Sequence, residues 1–128
     1  MSQVLTGTIE NKQLVVGEGI RTENAKVKTA TAYKSGDLLN VGTNNVADHP
    51  LITEGVIGDW NAIAVSDFTA AQSTYHAANN LEMPIYVQGP FDIAVVTLNG
   101  TPLSAAQYDA VRAQALKNKI ELRKVVGN

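Results

Sequence analysis

The chain lacks cysteine entirely, and aromatic residues make up only 5% of its 128 positions. Without cysteine there can be no disulfide framework, no thiolate nucleophile and no thiolate-held zinc or iron–sulfur centre. Stability has to come from packing or assembly. Charged residues are also scarce, at 17%, against roughly 25% in an average soluble domain. A surface so poor in charge suits a protein neighbour. Ten Lys and Arg stand against twelve Asp and Glu, for a formal net charge of −2. The basic residues are scattered, so the footprint of a phosphate-backbone binder is missing and no direct nucleic-acid partner is expected. Nothing approaches the roughly 20 consecutive apolar residues of a spanning helix, and the first ten residues do not pair a basic with an apolar region. A soluble product with no membrane partner is expected.

What is present reads mainly as strand. Two short β-prone runs, residues 4–9 (Val4 to Ile9) and 13–16 (Gln13, Leu14, Val15, Val16), are followed by a polar, glycine-containing stretch. Residues 1–24 therefore read either as an extended arm or as a hairpin packed on the domain's own sheet, with the domain proper at 25–128. From Lys26 the pattern has a period of two, with Val27, Thr29, Thr31 and Tyr33 on one face, which predicts a half-buried strand. Lys34, Ser35, Gly36 and Asp37 make a turn, residues 38–41 resume as strand, and residues 42–45 turn again. Two short strands are expected within 54–65, and a short helix or structured loop within 69–80. Residues 81–88 and 91–98 read as two strands joined at Gly89 and Pro90, since proline cannot donate to a ladder. Ser104 and Gln107 have the spacing of a capping box and predict a helix over about 105–117. Tyr108, Val111, Ala115 and Leu116 would share its inner face, Asn118 would be its left-handed stop, and a strand would follow from Ile120. The fold class is α+β with strands dominant: a small β-barrel or β-sandwich-like domain, one C-terminal helix, then a final strand.

No catalytic constellation is legible. His49 and His76 are far apart and belong to no ligating motif, so neither a metal nor a cofactor is expected. His49 reads as a solvated turn residue. Asp37, Asp48, Asp59, Asp67 and Asp92 fall in or beside turns, where Asp serves backbone bonding. Asn99, Gly100 and Thr101 form a glycosylation-like triplet that reads better as a turn before Pro102. An enzyme would require several of these acids or histidines to gather in one cleft. An adhesive or carbohydrate-binding β domain would require Trp60 and Phe91 to be exposed together.

Three segments carry a resemblance. They are Tyr33, Lys34, Ser35, Gly36, Asp37, Leu38 and Leu39; Pro84, Ile85, Tyr86, Val87, Gln88, Gly89, Pro90 and Phe91; and Val111 to Leu116 running into Ile120, Glu121, Leu122, Arg123 and Lys124. Their order over residues 25–126 resembles the head decoration, or capsid cement, proteins of tailed bacteriophages. The resemblance implies a β-rich fold without an active site. It implies homotrimers seated at three-fold and quasi-three-fold positions on the outer surface of the virion capsid, and an N-terminal arm reaching the phage major capsid protein. In this chain Val4, Ile9, Gln13, Leu14, Val15 and Val16 would supply the arm's capsid contact by strand addition.

Overall fold

A computed structural model describes residues 13–124. Ten strands and two helices follow one another in it: β1 (Arg21–Val27), β2 (Leu38–Val41), β3 (Val46–Asp48), β4 (Ile52–Thr53), β5 (Val56–Ile57), β6 (Ala62–Ala64), α1 (Ala70–Ala78), β7 (Glu82–Asp92), β8 (Thr97–Leu98), β9 (Thr101–Pro102), α2 (Ala105–Lys117) and β10 (Ile120–Arg123). The strand-dominated α+β class, with a late helix and a closing strand, is as expected.

The main sheet runs β1-β3-β2-β6-β7, and a further pairing of β1 with β7 closes it into a five-stranded barrel. Every strand of the ring sends small or medium side chains inward: Ala25 and Val27, Leu39, Ala47, Ala62 and Ala64, Met83 and Ile85 form one buried cluster. A ring of so few strands has little room inside, so alanine fills it where leucine would overpack. The alternate residues on the same strands, Leu38 and Ile63, point outward into a second core. There Trp60, Phe91, Ile93, Val96, Val111, Ala115, Ile120 and Leu122 join barrel, α2 and β10.

β7 holds the two cores together. Its first half pairs antiparallel with β1, from Lys26↔Glu82 to Arg21↔Gln88, and with β6 at Ile63↔Tyr86. Its second half pairs parallel with β10, from Ile120↔Gly89 to Arg123↔Asp92. Residues 81–98 therefore do not form two strands joined at Gly89 and Pro90. A single eleven-residue strand passes through both and changes partners there. Pro90 is tolerated because of that change: its carbonyl accepts from Val16 N–H at 3.1 Å, and the short ladder with residues 14–16 stops where proline has no N–H to return. Gly89 has φ +132°, and a Cβ there would lie 3.3 Å from Ile20 Cα besides colliding with Ile20 Cδ1. Gly89→Ala is expected to cost about 2–3 kcal/mol, combining backbone strain with displaced packing. A urea midpoint within error of wild type would refute this.

The expected strand from Lys26 to Tyr33 is instead the end of β1 followed by a tight turn. Ala30 sits at φ +56°, its N–H donates to Thr74 Oγ1 at 3.0 Å, and Tyr33 re-enters as an isolated bridge to Phe68. Period-two patterning cannot register a turn that a threonine on α1 holds from outside. The division expected between residues 24 and 25 falls inside β1.

Both helices begin as capping boxes. Thr69 Oγ1 accepts from Gln72 N–H at 3.1 Å while Gln72 Oε1 accepts from Thr69 N–H at 2.8 Å, and Gln107 Oε1 accepts from Ser104 N–H at 2.9 Å. The stop of α2 differs from expectation. Asn118 has φ −119°, and Lys119 takes the left-handed conformation at φ +60°. The Asn118 amide is instead spent on the carbonyls of Gln114 and Trp60, at 3.0 and 3.1 Å. Val111 and Ala115 are buried as predicted, but Leu116 is turned outward.

Tyr33 closes one end of the inner core. Its hydroxyl donates to Ala47 O at 2.5 Å and accepts from Lys28 N–H at 3.0 Å. Burial raises its pKa, outweighing the lowering by the Lys28 N–H, and Asp48 adds to the rise. A folded-state pKa above the unfolded one favours the fold fully below the ordinary tyrosine value near 10, and this contribution is lost as pH rises through the folded value. Urea midpoints between about pH 9 and about pH 11 should therefore fall more steeply in wild type than in Tyr33→Phe. Parallel slopes would show that Tyr33 is not the titrating group.

Candidate functional site

Five of the six residues expected to contact a partner fall into two groups. Val4 and Ile9 lie outside the described residues. Leu14, Val15 and Val16 are taken up by the protein's own sheet: Val15 bridges Phe91, Asp92 N–H donates to Leu14 O at 2.8 Å, and Leu14 and Val15 pack on the outer core. The sixth, Gln13, directly precedes this ladder. Of the arm and hairpin readings of residues 1–24, the run 13–16 is seen packed against Phe91, while residues 4–9, the other half of the hairpin, lie outside the described residues. The backbone of Leu14 and Val16 is therefore engaged within this chain.

Among the described residues, three exposed large apolar side chains lie elsewhere, on and beside the hairpin β4–β5. Ile52 pairs with Ile57 and Thr53 with Val56 across a two-residue turn in which Glu54 and Gly55 both have positive φ, 52° and 79°. That is the twist-matched geometry for joining two strands. Ile57 is buried against the outer core, but Leu51, Ile52 and Val56 are 79, 51 and 68% exposed. Between the hairpin base and the β8–β9 turn runs a groove of about 300 Å³ lined by Asp48, His49, Pro50, Leu51, Leu98 and Asn99, among others. A second exposed leucine, Leu116, stands between Arg112 and Glu121 on the α2–β10 side. The sequence contained the hairpin signal, but Glu-Gly is a weaker turn former than Asn-Gly, and β4 is only two residues long.

Beneath the groove lies a polar cluster. Asp37 is 1% exposed, and its carboxylate accepts from Lys34 N–H at 2.9 Å, from Gly100 N–H at 2.8 Å and from the Thr97 hydroxyl. It ties the Lys34–Asp37 turn to the β8–β9 hairpin, a junction reinforced by Thr97 N–H to Gly36 O at 3.0 Å. His49 is not the solvated turn residue expected. Its ring lies 5.3 Å from that of Tyr33, one nitrogen is 2.9 Å from Ala32 O, and the other faces Asp37 Oδ2 at 4.0 Å. The structure thus brings one acid and one histidine together, but the acid is sealed and committed to backbone and hydroxyl donors. Asp67 accepts from Ser35 N–H at 2.7 Å and Asp92 from Ala94 N–H at 2.9 Å, the turn roles assigned to them.

Trp60 and Phe91, 1 and 0% exposed, are both in the outer core and present no stacking platform. Among the described residues no group of three His, Asp or Glu is placed to hold a metal ion, and no helix is long and apolar enough to cross a membrane. Compared with protein-family models and with curated proteins, the chain matches none.

Proposed function

We propose that this chain is a structural virion protein that binds the exterior of a phage capsid as a trimer and cements neighbouring capsomers against the pressure of packaged DNA. The observation that carries the reading is the β4–β5 hairpin, at which Leu51, Ile52 and Val56 are exposed to solvent. Exposed apolar side chains gathered on one hairpin of a domain poor in charge suit a protein-contact surface. The ordered segments quoted above, from Tyr33 to Lys124, supply the family resemblance. A bound trimer stabilises the assembled shell by mass action, since separating capsomers must first break its contacts. Three modest contacts on one body strengthen attachment through effective concentration, by roughly 10²–10⁴ over a single contact.

The test is cosedimentation with expanded phage capsids. Leu51→Ser combined with Val56→Ser should lower occupancy at least about tenfold while leaving the fold unchanged, since both side chains are exposed and an interface anchor costs upwards of ~1.4 kcal/mol. Full occupancy by the double variant would remove the hairpin from the contact. Shells that resist heating equally with and without the wild-type protein would end the cement reading altogether.

A further inference from the structure

We propose that Asn99 is a deamidation site whose reactivity is gated by the Asp37 carboxylate. Asn99-Gly100 is the only Asn-Gly pair in the chain. It forms the two-residue turn between β8 and β9, with φ of 48° and 84°, and the Asn99 side chain is exposed. Glycine after asparagine leaves the following backbone nitrogen unshielded by a Cβ, so it can reach the side-chain amide. Once that nitrogen has given its proton to a base in solvent, it attacks Asn99 Cγ. The new C–N bond forms as the Cγ–Nδ2 bond breaks, and the amide nitrogen leaves as ammonia after taking a proton from water. Water then opens the cyclic imide at either carbonyl, giving aspartate or isoaspartate.

The nitrogen that must attack is the one held by Asp37. Gly100 N–H donates to Asp37 Oδ1 at 2.8 Å, and that carboxylate is buried. A negative charge at hydrogen-bond distance, in a medium that screens poorly, opposes removal of the amide proton. Ring closure therefore waits for the hairpin to leave Asp37. The product would matter at the surface, because Asn99 lines the same groove as Leu51 and Ile52. Deamidation sets a carboxylate on the wall of the groove that Leu51 and Ile52 also line, and isoaspartate lengthens the backbone of the two-residue turn that closes the pair Leu98↔Thr101.

The experiment incubates the full chain in mildly alkaline buffer, native and in urea, and measures conversion at Asn99 by peptide mass spectrometry with isoaspartyl methyltransferase labelling. Native conversion should be at least about tenfold slower than unfolded, and across a series of low urea concentrations it should rise in step with hydrogen exchange of the Gly100 amide. In Asp37→Asn, which keeps an acceptor but removes the charge, native conversion should accelerate while circular dichroism stays that of a folded protein. Equal rates in native and unfolded chains would overturn the proposal. So would native conversion that ignores the opening of Gly100, or a folded Asp37→Asn that converts at the wild-type rate. If the variant does not fold, the urea series on the wild-type chain decides.

Discussion

Replacing Asp37 by alanine is expected to cost about 4 kcal/mol, a large share of the 5–15 kcal/mol that holds a typical domain together. The carboxylate is sealed from water and receives two backbone N–H groups and one hydroxyl. Removing it leaves the buried Thr97 hydroxyl and two partly buried N–H groups without their acceptor, each worth about 1–3 kcal/mol, and opens a void where the turn meets the hairpin. Asp37→Asn should cost about half as much, because an amide oxygen can still accept while the amide NH₂ brings donors toward other donors. Thr97→Val should fall below both, since it deletes one bond only. Urea denaturation of the three variants gives the order directly. A near-neutral Asp37→Ala would mean that the junction between the Lys34–Asp37 turn and β8–β9 contributes little to the fold.

Removing residues 1–24 is expected to abolish cooperative folding, whereas removing residues 1–12 keeps every contact described above. The longer deletion takes four of the six register pairs between β1 and β7, Arg21 to Asn24, and with them Leu14, Val15 and Ile20 from the rim of the outer core. The barrel is then open along most of β1, and β7 presents an unpaired edge from Pro84 to Gln88. Heating should give a broad transition with dye-binding apolar surface in place of a single sharp one. A 25–128 fragment that melts like the full chain would show that closure by β1 is dispensable. The pair of truncations also separates folding from attachment. Loss of capsid binding by the 13–128 chain, with its melting unchanged, would assign the contact to residues before Gln13.

Much of this architecture could be read from residue order. The capping pair Ser104/Gln107 and the turn at Lys34–Asp37 are local devices, each satisfied within a few residues; Thr69/Gln72 is a pair of the same kind that the reading of 69–80 as helix or loop passes over. What escaped reading depends on partners distant in sequence. Pro90 and Gly89 look like the end of a strand until β10 and residues 14–16 are placed beside them. Lys28 to Thr31 alternate like a strand until Thr74 takes the Ala30 N–H. His49 looks solvated until Tyr33 and Asp37 arrive from another turn. Leu116 completed an apolar helical face on paper, yet the outer core ends at Val111 and Ala115. Of the candidate contact residues, the run 13–16 reads as strand, yet it makes only an isolated bridge at Val15. Which edge it joins is set by the apolar strand at Phe91, and that is tertiary information.

β7 sets the timetable of folding. It needs Arg21 to Val27 from near one end of the chain and Ile120 to Arg123 from near the other before either flank is complete. Contacts spanning so much of the chain pay their loop-closure entropy early and are rewarded late, which places such topologies in the slow, millisecond-to-second range. A ribosome-bound chain still lacking β10 should therefore remain protease-sensitive throughout, and acquire resistance in one step once Arg123 has cleared the exit tunnel.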